Sequence, residues 1–154
     1  MTHLKINDKA PSFEGKDQAG NLISSEQFTG KKYVLYFYPK DMTPGCTDQA
    51  CNLRDNYDAL QKEGIEIIGV SMDSEVSHVK FITKHTLPFK LIADTERKVI
   101  DAFGVWGTKK FMGKVYDGIH RTTFLMNEEG VIVGIIEKPK TKDHAAEILA
   151  IFNA

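Results

Sequence analysis

The chain has little cysteine and little tryptophan: two of the first and one of the second in 154 residues. No run of about 18 apolar residues offers a membrane span, and the opening MTHLKINDKAPSFEG lacks the apolar stretch of a signal peptide. Neither sign of charge dominates, with 20 Lys and Arg against 21 Asp and Glu, and without a basic run there is no electrostatic footprint for nucleic acid. Phosphate-loop, Gly-x-Ser-x-Gly and dinucleotide motifs are absent. These absences argue against nucleic-acid and membrane partners and point to the cytoplasm. A hydrophobic content of 42% with 27% charged residues suits one packed domain spanning residues 1–154. Such a core needs no covalent staple, and in a reducing compartment two cysteines are not expected to form a permanent bridge. Their use is expected to be catalytic, redox or metallic.

Residues 33–38, YVLYFY, are aromatic and β-branched and are closed by Pro39, which predicts a buried strand. Ala50, Leu53, Tyr57 and Leu60 recur at helical spacing and predict one helix from the cysteine segment to Gly64. IEIIGVS, from Ile65, predicts a second strand, and Val76, Val79 and Phe81 to Ile82 a second helix. KLIADTERKVIDAFGV reads as a short strand, a cap at Asp94 or Thr95, and a short helix stopped by Gly104. Val105 to Tyr116 is expected to be irregular, with its aromatics packed on the domain and its lysines solvated; docking of a reductant is the other reading of that segment. TTFLM and VIVGII form a hairpin, and a helix begun by Thr141 or Asp143 closes the chain. Ahead of the first strand, residues 11–28 predict a small hairpin and a helical turn at Ser24 or Ser25. The sum is an α/β fold with a mixed sheet covered on both faces.

The segment YFYPKDMTPGCTDQAC holds both cysteines, five positions apart. Thr43 followed by Pro44 makes a good helix start, because threonine caps and proline is tolerated at the first helical position. Cys46 then falls in the first turn, where free N–H groups and the helix dipole favour a negative sulfur and are expected to lower the thiol pKa. The alternative is a small buried residue that happens to be cysteine. Cys51 lies on the same helix with Cα atoms about 8.7 Å apart by ideal geometry, beyond the limit of about 7 Å for a disulfide. Either the helix unwinds to let the two pair, or Cys51 is a helical core residue that never meets Cys46. There is no Cys-x-x-Cys, and His78, His85, His120 and His144 lack ligand spacing, so no metal site and no role for these histidines is expected.

The same segment resembles the peroxiredoxin family, matching its Pro-x-x-x-Thr-x-x-Cys signature at Pro39, Thr43 and Cys46. With Cys51 present it is similar to the peroxiredoxin Q, or bacterioferritin comigratory protein, subfamily. The likeness runs on through GVSMDS, LIADTERKVIDAFGVWG, GIHRTTFLMNEEG and TKDHAAEIL. The resemblance implies a thioredoxin-like fold and a thiol peroxidase. It makes Cys46 the peroxidatic nucleophile and Cys51 the resolving cysteine of an intramolecular disulfide. Thr43 then offers a hydroxyl to the peroxide, Pro39 shields the sulfur, and Arg121 is the active-site arginine. Hydrogen peroxide and organic hydroperoxides are the implied substrates, thioredoxin or a similar dithiol the implied reductant, and a monomer with no cofactor suffices. Read from its own surroundings alone, Arg121 is as well a solvated charge beside a strand. A thioredoxin-like redox-sensing or binding module without turnover is the competing reading for the whole chain.

Overall fold

The computed structural model describes residues 2–154, so Met1 of the expected domain lies outside the described residues. A short hairpin, β1 (Glu14–Lys16) and β2 (Leu22–Ser24), runs into a 3-10 turn at Ser25–Phe28, as expected. It attaches to the main sheet through a bridge between Asp17 and Ile92. The core is built from β3 (Lys32–Phe37), α1 (Pro44–Asp55), α2 (Tyr57–Lys62), β4 (Ile65–Ser71), α3 (Glu75–His85), β5 (Lys90–Ala93) and α4 (Lys98–Ala102). A hairpin follows, β6 (Trp106–Phe111) and β7 (Lys114–Ile119), then β8 (Thr122–Met126), β9 (Ile132–Ile136) and α5 (His144–Phe152).

The five-stranded sheet has the order β5-β4-β3-β8-β9. β3, β4 and β5 are parallel, while β8 runs antiparallel to both β3 and β9. Alternation along β3 sends Tyr33, Leu35 and Phe37 to one core, with Val99, Ile100 and Phe124, and Val34 and Tyr36 to the other. The second core holds Cys46, Ala50 and Leu53 of α1, Leu60, Phe81 and Ile148. Both faces are therefore covered, and the thioredoxin-like mixed sheet is the observed architecture.

Two expectations fail locally. The single helix to Gly64 breaks at Asn56, whose φ of −110° and ψ of 12° end α1 before α2 begins; the apolar spacing carries across the kink because both pieces pack on the same core. The segment expected to be irregular is a regular hairpin in which Trp106 pairs with Ile119 and Phe111 with Lys114. Its tip turns through Met112 and Gly113, both at positive φ. Nor do its aromatics all pack: Trp106 lies against the core under Arg97, 4.3 Å from its ring, but Phe111 and Tyr116 are exposed. A polar strand face shows no apolar alternation, which is why period alone gave no strand there.

Asp94 serves the start of α4 from a distance: its carboxylate accepts from the backbone N–H of Val99 and Ile100 at 3.2 and 2.8 Å, while Arg97 occupies the cap position. Asp143 stands at the cap of α5, as expected, but without a side-chain bond. Here Asn52 of α1 supplies one instead, its Oδ1 accepting from Ala145 N at 2.8 Å while its Nδ2 donates to the Lys142 carbonyl at 2.9 Å.

His144, at the first position of α5, is fully buried between Thr123 Oγ1 at 2.8 Å and Glu147 Oε1 at 3.0 Å. Burial lowers its pKa below the ordinary 6.5, against the opposing pull of Glu147. A lowered histidine value means that the unfolded chain takes up the proton first. This group contributes no pH dependence well above 6.5, and stability is lost as pH falls below that value. Until the folded state also titrates, the loss approaches about 1.4 kcal/mol per pH unit, or roughly 2–4 °C per kcal/mol in thermal midpoint for a chain of this size. Thermal unfolding between neutral and mildly acid pH checks this, with a shallower acid fall expected in His144→Gln.

Candidate active site

The loop after β3 turns through Met42, held at a φ of 67°, a conformation costing a non-glycine residue roughly 1–2 kcal/mol. That turn delivers Thr43 to the cap position of α1 and Pro44 to its first turn. Thr43 does not cap with its side chain: its Oγ1 donates to the Lys40 carbonyl at 2.8 Å, inside the loop. With the hydroxyl proton so engaged, only acceptor capacity is left on Oγ1. Pro39 is half-buried at the exit of β3.

Cys46 is buried in the first turn of α1, 1% exposed. Arg121, between β7 and β8, reaches it from 75 positions along the chain, donating from Nη2 to Sγ at 3.3 Å. Its other terminal nitrogen donates to Gln49 Oε1 at 2.6 Å. Gln49 thus fixes the guanidinium so that one edge faces the sulfur. Sequence reasoning missed Gln49, although it stands three residues after Cys46 and therefore on the same helix face. Gly45 completes the arrangement, because a Cβ there would lie 3.3 Å from Arg121 Nη2. A second cation was also missed. Lys109 of β6 donates to the Ile119 carbonyl at 2.9 Å; burial and then Arg121 lower its pKa, while Cys46 raises it. It was hidden because its segment was read as irregular.

Among the described residues, two buried side-chain atoms, Tyr36 Oη and Gln49 Nε2, have no hydrogen-bond partner within the protein. Tyr36 shares the core of Cys46, and burial first, then the cysteine, holds its hydroxyl well above the ordinary 10.0.

Cys51 is half-buried further along α1, and both cysteines are free thiols. The helix keeps their side chains apart. The structure thus brings Cys46, Arg121 and Gln49 together, sets Thr43 and Pro39 on the approach to the helix, and leaves Cys51 at a distance.

Asp41, Asp73 and His78 place ligand-type atoms within 4.8 Å of one another. Donors already engage the carboxylates. Asp41 accepts from Tyr38 Oη at 2.6 Å and Ser77 Oγ at 2.8 Å, and Asp73 accepts from Ser71 Oγ at 2.6 Å and Asp41 N at 2.8 Å. This is a hydrogen-bond network that ties the loop before Cys46 to α3.

The AhpC/TSA family model matches residues 6–135. Peroxiredoxin Bcp of Bacillus subtilis is 49% identical over 95% of this chain and 93% of its own length. Peroxiredoxin Bcp of Escherichia coli is 46% identical over 97% and 96%. Among solved structures, the Xanthomonas campestris bacterioferritin comigratory protein, described for alkyl peroxide reduction, superposes with a TM-score of 0.87 at 32% identity, covering 99% of this chain and 98% of that one. The chain belongs to the AhpC/TSA family, among the thiol-dependent peroxidases of the Bcp peroxiredoxin group.

Proposed function

We propose that Cys46 is the peroxidatic nucleophile and Cys51 the resolving cysteine of a cycle that reduces hydrogen peroxide and organic hydroperoxides. The observation that carries this reading is the 3.3 Å contact between Arg121 Nη2 and a buried Cys46 Sγ at a helix start. The sulfur attacks the terminal peroxide oxygen, the O–O bond breaks, and water or an alcohol leaves with the second oxygen. Arg121, held by Gln49, faces the charge that develops there. Thr43 Oγ1, its own proton engaged by Lys40, accepts from the peroxide O–H; Pro39 limits solvent access to the sulfur.

Cys51 next condenses with the Cys46 sulfenic acid. The first turns of α1 open for this. Beyond Cys51 the helix stays anchored by Asn52 on α5 and by Arg54, whose Nη1 donates to the His85 carbonyl at 2.8 Å. Opening is therefore confined to the part that carries Cys46. Thioredoxin or a similar dithiol reduces the disulfide by exchange; the second cysteine lies in the same chain, so a cytosolic monomer completes the cycle.

Titration with one equivalent of peroxide tests the assignment. Peptide mapping is expected to find a Cys46–Cys51 disulfide, and hydrogen exchange to show lost protection from Thr43 to Ala50 but not beyond Asn52. Cys51→Ser is expected to stop at the sulfenic acid after one turnover with thioredoxin. Peroxide consumption that leaves Cys46 unmodified would refute the reading.

A further inference from the structure

A second reactive cluster lies on the far side of α1 from Arg121. Cys51 Sγ stands 3.8 Å from His85 Nδ1, and the two belong to different elements. The ring is fixed where it is by four features. α3 ends at Thr86 in the left-handed region, φ 50°, which a β-branched residue rarely adopts. The Leu87 N–H returns to the Ile82 carbonyl at 3.1 Å, and Arg54 Nη1 takes up the His85 carbonyl at 2.8 Å. Phe81 packs edge-on against the imidazole, with centroids 5.4 Å apart. A helix end of this shape, clamped by an arginine three residues along from Cys51, sets a nitrogen against a sulfur.

We propose that His85 is the general base for the resolving step, taking the proton of the Cys51 thiol as Cys51 attacks the Cys46 sulfenic acid; this rests on the Cys46–Cys51 disulfide proposed above. Nδ1 of a neutral imidazole protonated on Nε2 accepts from Sγ–H. The thiolate, which is the nucleophilic form, forms the S–S bond while the Cys46 S–O bond breaks. The departing oxygen leaves as hydroxide and receives the proton that His85 took up, so the step releases one water and consumes no further oxidant. Because the anchors of α1 lie on the Cys51 side of the opening, the base stays beside its cysteine while Cys46 travels.

The surroundings keep the ring available as an acceptor. Burial, then Lys84 on its own helix and Arg54 from α1, lower the His85 pKa below 6.5. Asp55 faces Arg54 at 2.9 Å rather than the ring, and Cys51 is the remaining titratable group against it.

Rapid-quench mass spectrometry after mixing reduced protein with one equivalent of hydrogen peroxide separates the two steps, since sulfenic acid and disulfide differ in mass. In His85→Gln the sulfenic acid is expected to form at the parent rate. The disulfide is expected to form about a hundredfold more slowly at neutral pH, the lower end of what general-base catalysis supplies. The parent disulfide rate should rise with pH through a histidine ionisation below 6.5 and then level, a limb His85→Gln lacks and added imidazole partly restores. An unchanged rate and pH profile in the variant would overturn the proposal, as would equal slowing of both steps, which marks His85 as structural. Oxidation of Cys46 in the parent without any disulfide to Cys51 would instead overturn the reading beneath it.

Discussion

Arg121→Lys is expected to slow the reaction of Cys46 with peroxide by about 10²–10³-fold, the range seen when one fixed donor to developing charge is removed. The comparison floor is Cys46→Ser, which is expected to consume no peroxide. A lysine keeps the charge but not the fork. In the parent, Nη1 is spent on Gln49 Oε1 at 2.6 Å and Nη2 on Sγ at 3.3 Å, so both contacts depend on one rigid plane. A single ammonium satisfies one partner and leaves the other in a buried pocket without it. Gln49→Ala separates the roles: it keeps the guanidinium and removes its orienting contact, and a smaller loss of about tenfold is expected from misplacement alone. Stopped-flow competition for peroxide, run on thermally intact variants, gives both numbers. Equal rates for Arg121→Lys and the parent would remove the arginine from the chemistry.

The site was legible in the sequence to the extent that it is local. Thr43-Pro44 fixes a helix start whatever packs around it, and Cys46 three residues later must then lie in the first turn. The apolar runs of β3, β4, β8 and β9 are strong because both faces of the sheet are covered. What spacing could not reach is the pairing of residues distant in the chain. Arg121 is 75 positions from Cys46, and a lone arginine before a strand reads equally well as a solvated charge. His85 was given no role because its partner is 34 positions away on another helix. The β6–β7 hairpin escaped for the opposite reason: it is held by backbone pairing and a polar face, and the apolar period that reveals core strands is missing from it.

Asp41 shows how far such long-range pairs govern stability. It follows Lys40 in the loop before Cys46, where nothing in the sequence marks it out, yet it is 4% exposed. Its Oδ2 lies 2.7 Å from His78 Nδ1, and His78 Nε2 lies 3.0 Å from the Ile92 carbonyl. Both ring nitrogens thus face oxygen atoms, and Tyr38 and Ser77 complete the carboxylate's shell. Removing Asp41 strands the groups bonded to its carboxylate: Asp41→Ala is expected to cost about 3–5 kcal/mol, at about 1–3 kcal/mol for each buried group left without a partner, a fall of roughly 10 °C in thermal midpoint. Because part of the loss comes from the stranded imidazole, the double variant Asp41→Ala, His78→Leu is expected to be more stable than the additive sum by at least about 1 kcal/mol. Urea unfolding of the two single variants, the double and the parent measures that coupling. Strict additivity would mean that Asp41 and His78 act separately, and that Ser77 Oγ and the Asp41 N–H bond to Asp73 tie the loop carrying Pro39 and Thr43 to its neighbours without help from the imidazole.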